Sequence, residues 1–187
     1  MRSRRALLVA ALVALAAIAA VVVVFARPAS GIGPGPLDPG IDGAAGLGMT
    51  SALRHPVSVA SGWIIRNRSD HPLTLDRLKP VGLSPSGLRF LGAYVLPLAH
   101  YSPDLSHAGF QVPAYGHALR GAIIEPHAKL AIVFGLMSTR RGRHILRAFD
   151  ILYHDGSSNY RERAGLAVAD CAPGTVKNCQ DPLWAGN

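Results

Sequence analysis

Eight histidines, two cysteines and a knot of arginines are the residues of this 187-residue chain with the most chemistry to offer. The histidines are His55, His71, His100, His107, His117, His127, His144 and His154. Imidazole suits zinc or copper, yet none forms His-x-His, His-x-x-x-His or a cysteine–histidine pair at ligand spacing. His100, His107 and His117 share one aperiodic stretch, residues 99–121, where they could converge on a metal ion or a small ligand. The plainer alternative is that they are polar loop residues, so no metal ligand and no cofactor is assigned.

Cys171 and Cys179 have seven residues between them, including the turn dipeptide Pro173-Gly174. Redox and metal pairs use Cys-x-x-Cys, and this spacing differs. In an oxidising compartment the pair is expected to close a small disulfide loop, contributing roughly 2–3 kcal/mol by loop entropy. Arg140, Arg141 and Arg143 fall within six residues, Thr139 to His144. Three guanidiniums on one turn suit phosphate or carboxylate groups of lipid or wall polymer, against the alternative of a solvated hairpin tip.

Catalytic patterns are missing. A hydrolase needs a nucleophile with a placed base, and there is no Gly-x-Ser-x-Gly. Glu125 and Glu162 are the only glutamates, and neither has a carboxylate nearby in sequence with which to share a glycosidase's work. No glycine-rich phosphate loop lies between a strand and a helix. No catalytic residue is assigned, and the chain is expected not to be an enzyme.

The elements that position these residues begin with an N-terminal apolar run. Ala6 to Ala26 contains no charged residue and follows Arg2, Arg4 and Arg5. Twenty-one residues at 1.5 Å each span about 31 Å, the thickness of a bilayer's hydrocarbon, and the leading arginines stay on the cytoplasmic side. Residues 1–27 are therefore expected to be a single signal-anchor helix, with a cleaved signal peptide as the alternative. Either way the remainder leaves the cytoplasm.

The formal net charge is +8, but four arginines lie in residues 1–27, leaving 15 basic against 11 acidic residues beyond them. Nucleic acid is therefore not expected as a partner; an envelope protein, lipid or wall polymer is. Sixteen arginines against three lysines, with abundant alanine and glycine, is a bias of GC-rich bacterial genomes. Residues 28–51 are rich in glycine and proline without hydrophobic period and read as a flexible tether. The soluble domain is expected over residues 52–187, a normal size for one core.

Within that domain, short apolar runs alternate with turn signals every 10–15 residues, the rhythm of a β-sandwich. Strands are expected over 57–67, 73–78, 88–96, 118–124, 129–137 and 159–169. Leu130, Ile132, Phe134 and Leu136 recur at period two and should share one buried face. Residues 144–154 fit a helical stripe and a strand; the hairpin loop His154-Asp155-Gly156-Ser157-Ser158 favours a strand. Asn67-Arg68-Ser69 also fits the N-glycosylation pattern, which carries little weight in a bacterial setting.

The turn Asn67-Arg68-Ser69-Asp70-His71-Pro72 before Leu73-Thr74-Leu75, and Pro126 before the alternating run from Lys129, resemble the small immunoglobulin-like sandwiches of bacterial membrane-anchored and surface proteins. The likeness spans residues 55–170 and implies an all-β, immunoglobulin-like β-sandwich of about seven strands, preceded by one transmembrane helix and the linker. It implies no activity, since such folds carry many functions. Copper-delivery factors of terminal oxidases share that architecture but use a Cys-x-Cys type pair, which this chain lacks. The sequence thus points to a non-enzymatic single-pass membrane protein. Its extracytoplasmic domain is expected to bind or scaffold another envelope component, or alternatively a metal or small ligand through loop 99–121.

Overall fold

Strand β10, Lys129–Ser138, is the spine of the molecule. The computed structural model describes residues 32–41, 45–60, 62–83, 87–102 and 107–173. The expected membrane helix at 1–27, the start of the expected tether, and Cys179 lie outside them. Among the described residues no helix is long and apolar enough to cross a membrane. These residues form fourteen strands and one 3-10 turn, an all-β architecture.

One edge of β10 takes β4 (Ile64–Asn67) beside its first residues and β3 (Val57–Val59) further along; the other takes β6 (Leu88–Pro97) over its whole length. β1 (Leu37–Asp38) extends β4, β7 (His107–Ala108) extends β3, and β8 (His117–Ala118) covers two residues of β6. A second sheet runs β13 (Asn159–Ala164), β12 (Ala148–His154), β5 (Leu73–Val81), β9 (Ile123–Ile124). A third runs β11 (Gly142–Leu146), β14 (Leu166–Ala172), β2 (Ala45–Thr50).

The main core forms where β10 faces β12. Ile132, Phe134 and Leu136 meet Phe149, Ile151 and Tyr153, all essentially fully buried. Trp63 caps this layer, its ring 5.2 Å from Phe149 and 6.1 Å, edge-on, from Phe134. Its indole N–H donates to the Pro39 carbonyl at 2.7 Å, so the ring is buried without an orphaned donor. The period-two face expected on β10 is present, with Leu130 packed at its margin. Its opposite face is buried too: Ala131 and Val133 join Tyr94 and Leu96 in a second, smaller cluster beneath Phe110. A Cβ on Gly135 would lie 2.5 Å from the Phe110 ring, so the glycine makes room for that cover.

Several expectations need correcting. About seven strands were expected, but single runs are divided. The 57–67 run breaks at Gly62, which has φ +74°, and 159–169 breaks between β13 and β14 at Gly165. A turn separates β8 from β9 within 118–124. The flexible tether expected over 28–51 is not what the described residues 33–41 and 45–51 show. Leu37 is buried and pairs with Asn67, and Ala45–Thr50 pairs in parallel with Leu166–Cys171. In β2 the inward residues are Ala45, Leu47 and Met49, separated by glycines. Three modest apolar groups among glycines hardly register as a strand, because most of the burial comes from the neighbour. Residues 144–146 and 148–154 are strand, in β11 and β12 with Arg147 between them, as the hairpin context suggested.

Asn67 shows how the turns are held. It is fully buried, and its Nδ2 donates to the carbonyls of His71, Ile124 and Glu125 at 2.7, 3.0 and 3.2 Å. Its Oδ1 accepts from the Ser69 N–H at 2.8 Å. An amide used in this way is closed to glycosylation.

Candidate functional site: a lateral groove between two strand edges

β5 and β6 are adjacent in sequence but belong to different sheets. β5 is paired along one side by β12, and on the other by β9 only at Leu73 and Thr74. β6 is paired along one side by β10, and on the other by β8 only at Tyr94 and Val95. Among the described residues, the rest of each outer edge has no neighbouring strand. The turn between β8 and β9 joins the two edges at one end, with Gly121 N–H donating to the Leu75 carbonyl at 2.7 Å and Leu119 N–H to Ala93 at 3.2 Å.

The gap so framed is a groove of about 450 Å³, within the size range of ligand sites. Leu78, Phe90, Ala93 and Leu119 make its apolar floor, while Arg77, Lys79 and Arg120 stand exposed at its rim. Asp76 also lines it, but its carboxylate is engaged by His154 Nδ1 at 3.0 and 3.1 Å. Among the described residues the three rim cations have no salt-bridge partner. The arrangement offers an apolar slot with surplus positive charge.

The residues singled out from sequence are spread apart. Arg140 and Arg141 are exposed at the β10–β11 hairpin, whereas Arg143 is half-buried within β11, so the three do not share one tip. Cys171 is buried in β14, and its expected partner Cys179 is outside the described residues. His100 stacks on Tyr115 with ring centres 4.9 Å apart, His107 opens β7 and His117 is exposed in β8. Among the described residues no group of three His, Cys, Asp or Glu side chains is placed to hold a metal. Among the described residues of that segment, 107–118 lie against the large sheet through β7, β8 and Phe110, leaving a concavity of about 270 Å³ between Tyr94 and Tyr115. Burial there pushes the Tyr94 hydroxyl pKa up.

Two buried polar clusters are structural in geometry. Asp170 Oδ2 accepts from Ser51 Oγ at 2.7 Å and Ser138 Oγ at 2.5 Å, tying β14 to β10 and to the end of β2. His144 Nε2 meets the Arg140 carbonyl at 2.8 Å, so no Ser–His–Asp relay arises from these residues. Tyr153 OH accepts from Leu37 N–H at 3.1 Å and donates to Glu162 Oε1 at 3.4 Å. Glu162 also accepts from Gly35 N–H at 2.5 Å, which pins the entering segment. Desolvation drives the Tyr153 pKa well above the usual phenol range.

The groove was missed in the sequence because its walls are edges, and edges are defined by which strands fail to pair. One signal was available: Pro80 inside a strand run marks an edge position.

No protein family matches this sequence, and no curated protein does either. Among solved structures the chain is similar to the ASH / PapD-like domain of human CEP192 (PapD-like domain 7), at 12% identity and TM-score 0.34, over 73% of this chain and 82% of that one.

Proposed function

We propose that this chain is a non-enzymatic single-pass membrane protein, and that its immunoglobulin-like domain holds another envelope component outside the cytoplasm. The observation that carries the reading is the lateral groove, an apolar slot rimmed by Arg77, Lys79 and Arg120. Apolar contact supplies affinity, and unpaired cations at a rim add selectivity and faster encounter with anionic partners. The arginine-bearing apolar run of residues 1–27 supports the membrane topology.

The test is a photo-crosslinking residue placed at Arg120 in the full-length protein in intact cells, with Arg141 as the comparison site. The expected result is an adduct with one envelope component at Arg120 and none at Arg141. A reporter fused after Asn187 should be active only outside the cytoplasm. Absence of any adduct at the groove, or a reporter active only in the cytosol, overturns the proposal.

A second reading, a small-ligand-binding accessory domain using loop 99–121, has one observation in its favour: Ala118, Leu119 and Arg120 of that stretch line the groove. It differs in the size of the occupant, and an adduct at Arg120 with a small molecule alone would select it.

A further inference from the structure

The nature of the occupant follows from the main chain of β5, and it rests on the groove reading just given. Leu75 N–H donates to the Ala122 carbonyl at 2.9 Å and Leu75 O accepts from Gly121, so the Leu75 main chain faces away from β12. The β12–β5 register then slips by one residue, leaving Asp76 as the extra residue between Leu75 and Arg77. Alternation from that bulge turns the main-chain groups of Leu78 and Pro80 toward the groove. Two observations agree. Val81 O is taken on the other side by Arg147 N–H at 3.0 Å. Pro80 has no N–H to donate, so an outward position costs no ladder bond.

We propose that this edge takes up a short, extended, acidic segment of a partner protein as an added strand. Leu78 offers one N–H and one C=O, and Pro80 one C=O, to an incoming main chain. Side chains on an added strand alternate. Those opposite Leu78 and Pro80 enter the apolar slot against Phe90 and Leu119. Those opposite Arg77 and Lys79 stand on the outer face, where both cations are exposed and two residues apart. Acidic residues at every second position therefore meet both cations directly across the ladder, the geometry in which opposite charges attract.

An acyl chain in the same place would cover the Leu78 N–H and two carbonyls with hydrocarbon, desolvating them without a replacement bond. A peptide main chain supplies those bonds. Pro80, Lys79 and the bulge at Asp76 limit pairing to a few residues, which guards against open-ended edge-to-edge association.

The experiment uses the full chain in nanodiscs of uncharged lipid and a labelled probe, acetyl-Val-Glu-Val-Glu-Val-amide, read by fluorescence anisotropy. Saturable binding is expected. The double change Arg77→Ser with Lys79→Ser, at exposed positions, should weaken it about ten-fold, taking two cross-strand charge pairs together. N-methylating alternate amides of the probe should abolish binding without touching the protein. Equal binding of the N-methylated probe, or of the same probe with Lys for Glu, overturns the proposal, as does dodecanoate displacing the probe from an unaltered groove. If Arg120 yields its envelope adduct but the probe neither binds nor competes, the acidic-strand inference falls and the groove reading stands. If neither adduct nor probe binding is found, both fall.

Discussion

Replacing Asn67 with alanine should cost about 2–4 kcal/mol of stability. The side chain is fully buried and bridges three carbonyls, of His71, Ile124 and Glu125, while accepting from Ser69 N–H. Two amide hydrogens shared among three acceptors, with two bonds accepted from the Ser69 N–H and hydroxyl, amount to about four hydrogen bonds at roughly 0.5–1 kcal/mol each. The carbonyls left behind cannot all reach water, which sets the result toward the upper end. Asn67→Asp should be worse at neutral pH, because it aims a carboxylate at three carbonyl oxygens. Its folded pKa must then lie above the unfolded value of about 3.9. That destabilisation grows as pH rises past the unfolded pKa and is relieved below it. The assay is urea unfolding of each variant, reading the midpoint at constant m. A loss under about 0.5 kcal/mol for Asn67→Ala, or an Asn67→Asp protein no less stable at pH 7 than at pH 3.5, refutes the role given to this residue.

Tyr153→Phe removes the acceptor of Leu37 N–H and a donor to Glu162; about 1–3 kcal/mol should be lost, with hydrogen exchange of Leu37 accelerating first. Asp155 accepts from the Tyr160 hydroxyl and from the N–H groups of Ser157 and Ser158, which bring its carboxyl down to about 2. A depressed pKa contributes stability that is complete above the unfolded value of 3.8 and fades as pH falls toward 2. Carboxyl NMR should find its midpoint near 2, and Asp155→Asn should flatten stability in that window; a midpoint near 4 contradicts the hydrogen-bonding scheme. Alkylation of the protein isolated from cells without prior reduction should leave Cys171 and Cys179 unmodified, with both labelled after reduction; labelling before reduction removes the expected bridge.

Local chemistry was legible where neighbours in sequence are also the deciding neighbours in space. The run Leu130, Ile132, Phe134, Leu136 announced a strand with a buried face, and His154 to Ser158 announced the hairpin that makes 148–154 a strand. The turn at Asn67 was readable from residue types alone, though its ties to Ile124 and Glu125, 57 and 58 residues away, were not. Hydropathy and positive charge over residues 1–27 carry the membrane expectation unaided.

Tertiary structure decided the rest. Gly33 to Thr50 reads as tether because its apolar residues are few and spaced by glycine, yet Leu37–Asp38 pairs with β4 and Ala45–Thr50 with β14. Arg77, Lys79 and Arg120 form no motif in the sequence, while the triplet Arg140, Arg141 and Arg143, contiguous enough to read as one tip, is divided between a turn and a strand. Hydrophobic period depends on residues two apart and survives any fold built from strands. Whether a strand's edge stays open depends on partners tens of residues away, and only the assembled sheets determine which main-chain groups remain available.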